Sequence, residues 1–166
     1  MRSWLLAILL LCGGSYAGAA QDYMNPTYGY SVQVPDGVRM LQPASPLPNH
    51  GITVELGGRR NISIDGSYDA AFFGSAMAAL RQTLSYEHWA GKPFVRATRL
   101  AGLPAARAER GHNGRRQVRI AAYRTRGAEI AVFYEIDLDT DTTHAARDEA
   151  VFNSILRSFT LHPMPR

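Results

Sequence analysis

The chain has 166 residues, of which 46% are hydrophobic and 19% charged, and its formal net charge is +4. This length suits one domain with a single core. Beyond the first twenty residues, no segment approaches the roughly 18 consecutive apolar residues that a membrane-spanning helix needs. The single cysteine excludes a framework of intramolecular disulfides, so the fold must be stabilised by packing.

The first twenty residues have the three parts of a secretory signal peptide. Arg2 supplies a positive charge, residues 4–11 are an unbroken apolar run, and residues 13–20 form a small-residue tail. The apolar run is too short to cross a bilayer as a helix. We therefore predict a secreted or periplasmic protein without a transmembrane segment after processing.

Two routes of processing fit this N-terminal segment. Cleavage after Ala19 or Ala20 places small residues where a signal peptidase reads them, and it leaves one domain of residues 21–166. The alternative is lipid attachment at Cys12. It is less favoured, because the residue before a lipidated cysteine is normally small and here it is Leu11.

The first third of the domain reads as strands and turns. Residues 28–34 alternate in polarity and end at residues 35–37, Pro-Asp-Gly, which predicts a strand followed by a turn. Residues 43–51 hold three prolines and predict a loop. Two β-branched runs, Ile52–Leu56 and Asn61–Asp65, flank a Gly-Gly pair and predict a hairpin.

A helical spacing of apolar residues begins near Asp69, which is well placed as an N-cap. The predicted helix includes Gly74 and Ser75, and we expect its apolar stripe to pack against a sheet. The stripe consists of Phe72, Phe73, Ala76, Met77, Leu80 and Leu84.

Beyond Pro93 the pattern returns to strands joined by tight turns. We predict turns at residues 102–104 and 112–114, the second because Asn-Gly readily takes the positive φ values of a tight hairpin. The predicted strands are Val95–Leu100, Ala105–Arg110, Arg115–Arg124 and Ala128–Leu138.

The register of the last two strands follows from the loop between them. If residues 125–127 form a three-residue loop, the apolar residues of both strands share one face. These residues are Val118, Ile120, Ala122, Ile130, Val132, Tyr134 and Ile136. The same register places Arg115 opposite Asp137 and Gln117 opposite Glu135.

The chain ends in a second predicted helix, which begins near the capping-type residues 141–143 and is followed by an extended piece at residues 158–161. Its stripe consists of Val151, Phe152, Ile155, Leu156 and Phe159. The order strands, helix, strands, helix indicates an α+β domain built on an antiparallel sheet.

Three short segments carry a resemblance to the PsbP-like superfamily of PsbP/DcrB-like envelope proteins. Residues 28–37 resemble its opening aromatic, strand and turn, residues 101–105 its Gly-x-Pro turn, and residues 152–159 its terminal helix with a Ser-Phe pair. The resemblance implies an α/β/α sandwich, a central antiparallel sheet flanked by helices on both faces. It also implies accessory or binding proteins rather than enzymes, and no functional residue is carried over.

Basic residues concentrate in the strands after the first helix. Residues 96–126 hold nine Arg and one acid, a balance of 9 − 1 = +8, whereas residues 127–166 hold three Arg and seven acids, a balance of 3 − 7 = −4. Such a run could contact an anionic surface or an acidic partner. The favoured interpretation is pairing with acids on neighbouring strands. The basic-surface candidates are Arg107, Arg115, Arg116, Arg119 and Arg124.

Nucleic acid is not among the expected partners, because no aromatic residues interleave with the arginines as they do in nucleic-acid platforms. The predicted export from the cytoplasm argues against nucleic acid as well.

One acidic stretch has the outline of a calcium loop, formed by Asp137, Asp139, Asp141 and Asp148. The outline lacks the sharp-turn glycine and the bidentate glutamate, and a strand end followed by a capped helix explains the same residues. We therefore assign no metal ligand and no cofactor.

No catalytic residue is assigned either. His144 and Asp148, one helical turn apart, could form a base and its orienting partner, but a surface contact is the favoured interpretation, and no Gly-x-Ser-x-Gly motif occurs.

The leading hypothesis is a non-enzymatic accessory or binding protein that recognises a protein partner in the cell envelope. A narrower version is a periplasmic immunity or inhibitor protein that neutralises a toxin. The alternative from another class is a small hydrolase of cell-wall or lipid material, which would need a pocket of titratable groups with perturbed pKa values.

Overall fold

The computed structural model describes residues 20–41, 50–68, 73–86, 93–126 and 130–164. The predicted signal peptide up to residue 19, including Cys12, lies outside these residues, as do the proposed N-cap Asp69 and most of the proline-containing segment. No helix in the described part of the chain is long and apolar enough to cross a membrane.

Ten strands and two helices make up the described residues. The strands are β1 Gln21–Asn25, β2 Tyr30–Val34, β3 Arg39–Leu41, β4 Gly51–Gly57, β5 Arg60–Tyr68, β6 Phe94–Leu100, β7 Leu103–His112, β8 Arg115–Arg126, β9 Ile130–Asp141 and β10 Thr160–Leu161. The helices are α1 Ala76–Tyr86, between β5 and β6, and α2 Ala145–Ser158, between β9 and β10. The predicted α+β class with antiparallel strands is confirmed.

The strands form two antiparallel sheets rather than one. The small sheet has the order β1-β2-β10, and the large sheet has the order β3-β4-β5-β9-β8-β7-β6. The strand β10 confirms the predicted extended piece near the C-terminus. The short strands β1 and β3 were not predicted, because three to five residues with few β-branched side chains carry little sequence signal.

Two hairpin turns of the large sheet combine successive residues with positive φ. Asn113 and Gly114 have φ of 48° and 72°, which confirms the predicted Asn-Gly turn. Ala101 and Gly102 have φ of 47° and 82°, so this turn lies one residue earlier than predicted. Pro104 is therefore not a turn residue but part of β7.

The predicted sides of the β8–β9 side chains are correct where these are described, which leaves out Ile130, but the predicted register is wrong. Arg115 lies opposite Asp141 and Gln117 opposite Asp139, whereas Asp137 lies opposite Arg119. Pairing continues to the ends of both strands, which moves the register by four residues on β9. An even shift keeps every side chain on its predicted side, because side chains alternate along a strand.

Helix α1 begins later than the sequence predicts. Gly74 has a φ of 72°, outside the helical region, and the Ser75 hydroxyl accepts a hydrogen bond of 3.1 Å from the amide of Ala78. Ser75 thus takes the place of an N-cap. The prediction that Gly74 and Ser75 lie inside the helix is wrong.

Two buried clusters hold the fold together. The main cluster joins both sheets to α2, and the Tyr30 ring stacks on Phe159 with centroids 5.3 Å apart. The shared apolar face predicted for β8 and β9 belongs to this cluster through Val118, Ile120, Ala122, Val132, Tyr134 and Ile136. The second cluster joins α1 to β7 and β8 through Ala76, Leu80, Leu84, Ala106, Ala108 and Ala121.

Helix α2 is fixed at its start by a buried ion pair. The Asp148 carboxylate, 2% exposed as a residue, accepts hydrogen bonds from Arg60 at 2.7 and 2.9 Å and from the Thr140 hydroxyl at 2.5 Å. The Asp141 carboxylate accepts a bond from the amide of His144. His144, rather than one of residues 141–143, is the N-cap of α2, and its side chain makes no capping hydrogen bond.

Candidate interaction surfaces

Polar side chains of β5, β7, β8 and β9 line an open groove of about 300 Å³ on the large sheet. We call it the polar groove. Its polar lining consists of Asn61, Ser63, Arg110, Gln117, Arg119, Asp137 and Asp139. Strand alternation explains the arrangement, because the groove takes odd-numbered residues from the middle of β8 and β9, whereas the even-numbered Val118, Ile120, Ile136 and Leu138 enter the main cluster.

A two-pronged ion pair lies in the polar groove. Arg119 donates from Nε to Oδ1 of Asp137 at 2.6 Å and from Nη2 to Oδ2 at 2.8 Å, and Glu135 lies 3.5 Å from the same guanidinium. Arg119 is only 8% exposed. Arg115 donates instead to a single oxygen of Asp139, Oδ1, from Nη2 at 2.6 Å and from Nε at 3.1 Å. Arg115 and Arg119 therefore neutralise acids of the groove, whereas Arg110 donates to the amide oxygen of Gln117.

One carboxyl group of this face carries a perturbed pKa. Burial raises the pKa of Asp65 above its ordinary value, and the negative charge of Asp137 raises it further. Strand pairing places Asp65 opposite Glu135. Asp65, Glu135 and Asp137 thus lie near one another, a grouping that sequence spacing did not reveal because they come from two strands distant in sequence.

A second charged surface lies where β6, β7 and β8 run side by side. Three arginines converge on Glu109: Arg107 Nε lies 2.6 Å from Oε1, Arg96 Nη2 lies 3.6 Å from Oε1, and Arg116 Nη2 lies 3.1 Å from Oε2. Arg116 also pairs with Glu149 of α2. We call Arg96, Arg107, Arg116 and Glu109 the arginine cluster.

The arginines of the arginine cluster determine the pKa of Glu109. Burial raises the pKa of Glu109, but the hydrogen bond and charge of Arg107, followed by the charges of Arg116 and Arg96, outweigh burial and hold that pKa below its ordinary value. Glu109 is therefore ionised, and three guanidinium groups share this carboxylate. The Phe94 side chain, opposite Glu109 in the strand pairing, is 66% exposed.

The structure does not bring the four calcium candidates together. Asp137 and Asp139 lie in the polar groove, Asp141 pairs with His144 at 2.8 Å, and Asp148 is buried against Arg60. The hydrogen bond from His144 is the main cause that lowers the pKa of Asp141. Among the described residues, no group of three or more potential ligands is arranged to hold a metal ion.

His144 pairs with Asp141 and not with Asp148, the partner that the sequence offered. Its Nδ1 lies 2.8 and 3.0 Å from the Asp141 carboxylate oxygens, whereas Asp148 receives its hydrogen bonds from Arg60 and Thr140. Asp148 lies in the first turn of α2, and its side chain points toward the large sheet, where it pairs with the buried guanidinium of Arg60.

Four of the five basic-surface candidates divide between the two surfaces, and the fifth lies elsewhere. Arg115 and Arg119 belong to the polar groove, and Arg107 and Arg116 belong to the arginine cluster. Arg124 donates instead to the carbonyl of His162 at 2.8 Å, near the small sheet. The sequence did not single out Arg96 or Glu109, although Glu109 was visible as the one acid in the basic run.

The fold is similar to solved structures over most of its length. The solution structure of cyanobacterial PsbP (CyanoP) from Synechocystis sp. PCC 6803 gives a TM-score of 0.59 at 20% identity and covers 93% of this chain and 99% of that chain. The crystal structure of LpqN, involved in cell envelope biogenesis of Mycobacterium tuberculosis, gives 0.58 at 15% identity, with 88% and 93% covered. No protein-family model and no curated protein sequence matches the chain.

Identities of 20% and below bear on the fold alone. Within that limit, the resemblance that three short segments suggested is confirmed, and the chain has a PsbP-like fold.

Proposed function

We propose that this chain is an exported accessory protein of the cell envelope that binds a protein partner through the arginine cluster. The PsbP-like fold supports this proposal, and so does the likeness to LpqN, a protein involved in cell envelope biogenesis. The secretory pattern of the first twenty residues supports a periplasmic or secreted location, with residues 21–166 as one mature domain.

The observation that carries the proposal is the surplus of cations around Glu109. Arg96, Arg107 and Arg116 share this carboxylate, and only Arg116 also pairs with Glu149. The Arg96 side chain remains 51% exposed. Arginine and aromatic side chains are the residues that most often dominate the energy of protein interfaces. The exposed Phe94 ring beside these arginines therefore supports an interface with an acidic partner.

We also infer that the two helices cover opposite faces of the large sheet. In support, neighbouring residues of β8 enter different clusters: Ile120 and Ala122 pack with α2, whereas Ala121 packs with α1. Successive side chains of a strand point to opposite sides of a sheet. This arrangement would leave the polar groove beside α1 and the arginine cluster on the side of α2.

Photo-crosslinking in the native host tests the function. A photoreactive amino acid replaces Phe94, and a matched variant carries it at Asn153, an exposed position on α2. We expect an envelope protein to be captured from position 94 and not from position 153, and the capture to decrease when Arg96→Glu is added. Retention of the chain in the cytosol, or equal capture from both positions, would contradict the proposal.

A further inference from the structure

Strand β6 lies at one end of the strand order of the large sheet. Within the described residues it pairs only with β7, through a ladder that runs from Phe94 opposite Glu109 to Leu100 opposite Leu103. An edge strand presents backbone donors and acceptors that another strand can use. Because β6 is seven residues long, it offers enough of them for a short β-strand to bind.

The hairpin geometry shows which backbone groups these are. Leu100 and Leu103 flank a two-residue turn, and such a flanking pair exchanges both of its hydrogen bonds. Hydrogen-bonded and non-hydrogen-bonded pairs then alternate along the ladder. The N–H and C=O groups that point away from β7 are those of Val95, Ala97 and Arg99. Pro104 lies opposite Arg99, where the β6–β7 ladder needs no N–H.

The side chains of β6 add a charge preference to this edge. Arg96 projects into the arginine cluster on one side of the strand, and Arg99 projects from the other side, where it donates to the carbonyl of Gly102. No acid occurs within β6. An added strand with acids opposite Arg96 and Arg99 would therefore meet a complementary cation on each of its faces.

We propose that β6 binds an extended acidic segment of the partner protein as an additional strand of the large sheet. This inference rests on the proposed function and specifies how the partner is recognised. Backbone hydrogen bonds to residues 95, 97 and 99 supply affinity, and the two arginines select acidic side chains. Phe94 lies where an apolar residue of the added strand can cover it.

A second copy of this chain fits the edge less well. In an antiparallel pair of β6 strands centred on Ala97, Arg96 of each copy is the diagonal neighbour of Arg96 of the other. Diagonal neighbours on the same face are about 7–8 Å apart, and like charges at close range destabilise strand pairing. The charge pattern therefore favours an acidic partner over self-association.

The test uses the purified protein and a synthetic peptide with β-branched residues throughout, except for Glu at the positions opposite Arg96 and Arg99. Binding is measured by titration, and hydrogen exchange of the β6 amides reports where the peptide lies. We expect saturable binding and slower exchange of the Val95, Ala97 and Arg99 amides. A peptide with Lys in place of Glu should bind at least about fivefold more weakly.

Two pairs of variants separate the backbone from the charge contribution. Ala97→Pro removes an outward-pointing N–H without touching the β6–β7 ladder, whereas Ala97→Ser keeps it. Arg96→Glu reverses a charge at the edge, whereas Arg157→Glu makes the same change on an exposed part of α2. We expect Ala97→Pro and Arg96→Glu to weaken binding at least about fivefold, and the other two to bind as the wild type does.

The outcomes distinguish this inference from the proposed function. If the peptide does not bind, or if Ala97→Pro binds it as well as Ala97→Ser does, then the arginines merely protect an edge strand and the inference is wrong. Capture of an envelope protein from position 94 would leave the proposed function standing in that case. If the peptide binds as expected but nothing is captured, the edge preference holds and the proposed function fails.

Discussion

The polar groove and the arginine cluster draw on the same run of arginines but use them differently. Arg119, in the groove, is 8% exposed and is held by both oxygens of Asp137 with Glu135 nearby. Arg96, in the cluster, is half exposed, and its nearest acid, Glu109, lies 3.6 Å away and is shared with two other arginines. Strand alternation thus divides one basic segment into cations that are buried against acids and cations that stay partly exposed.

The largest effect is expected from breaking the ion pair of the polar groove. Asp137→Ala removes the carboxylate that both prongs of the buried Arg119 contact, and we expect the free energy of unfolding to decrease by about 2 kcal/mol. Denaturant unfolding measures this change. Asp139→Ala is the matched control, because its partner Arg115 is far more exposed. Equal losses in both variants would mean that the burial of Arg119 has no energetic role.

A smaller effect, visible as a pH dependence, is expected from Asp65 on the same face of the large sheet. The pKa of Asp65 is raised in the folded state, so the folded protein binds this proton more tightly than the unfolded chain does. The protonated carboxyl group therefore stabilises the fold at low pH. That stabilisation decreases as the pH rises above the unfolded pKa of about 3.9. Asp65→Asn removes the titration. We expect the variant to gain stability relative to the wild type between pH 4 and pH 7, by less than Asp137→Ala loses.

The pH comparison for Asp65 is made by denaturant unfolding at several pH values, with exposed Asp22→Asn as the control. A difference between the Asp65 variant and the wild type that stays constant with pH would rule out the proposed titration.

A substitution in the arginine cluster is expected to change the affinity for the acidic peptide rather than the free energy of unfolding. Glu109→Gln removes the carboxylate that three arginines share, so we expect the acidic peptide to bind about two- to fivefold more tightly, with a steeper dependence on salt. Titrations at two salt concentrations measure both quantities. Unchanged affinity would show that the cluster does not contribute to recognition.

The smallest change in stability is expected from Arg96→Ala. Exposed ion pairs contribute little, and we expect the free energy of unfolding to change by less than about 0.5 kcal/mol. A loss as large as that of Asp137→Ala would place Arg96 among the structural cations and remove the contrast between the two surfaces.

Sequence patterns predicted the longer elements because those elements have a periodicity of their own. The β4–β5 hairpin, the Asn113-Gly114 turn and the apolar stripe of α2 all follow from local residue choice. The β8–β9 register was predicted only to the correct side, since polarity alternates with a period of two and several even shifts satisfy it. Short strands such as β1 carry too few residues to show any period.

The candidate surfaces were harder to predict, because they depend on side chains from different strands. Arg96, Arg107 and Glu109 form one group only through the pairing of β6 with β7. Arg60 and Asp148 are 88 residues apart in the chain, and the hydrogen bond of 2.7 Å between Ser31 and His162 spans 131 residues. No rule of sequence spacing links residues at such distances. The sequence did favour pairing of the arginines with acids of neighbouring strands, and the polar groove contains such pairs, Arg119 with Asp137 and Arg115 with Asp139.

The small sheet takes its three strands from the two ends of the chain, and this has a consequence for the order of folding. Ser31 in the central strand β2 pairs with Thr160 of β10, which lies 160 − 31 = 129 positions later. β2 therefore cannot pair with β10 until nearly all of the residues between them have been synthesised. Until then Tyr30 cannot stack on Phe159. Contacts so far apart in sequence form slowly. We therefore expect the part of the core around Tyr30 and Phe159 to form late in folding, after the hairpins of the large sheet.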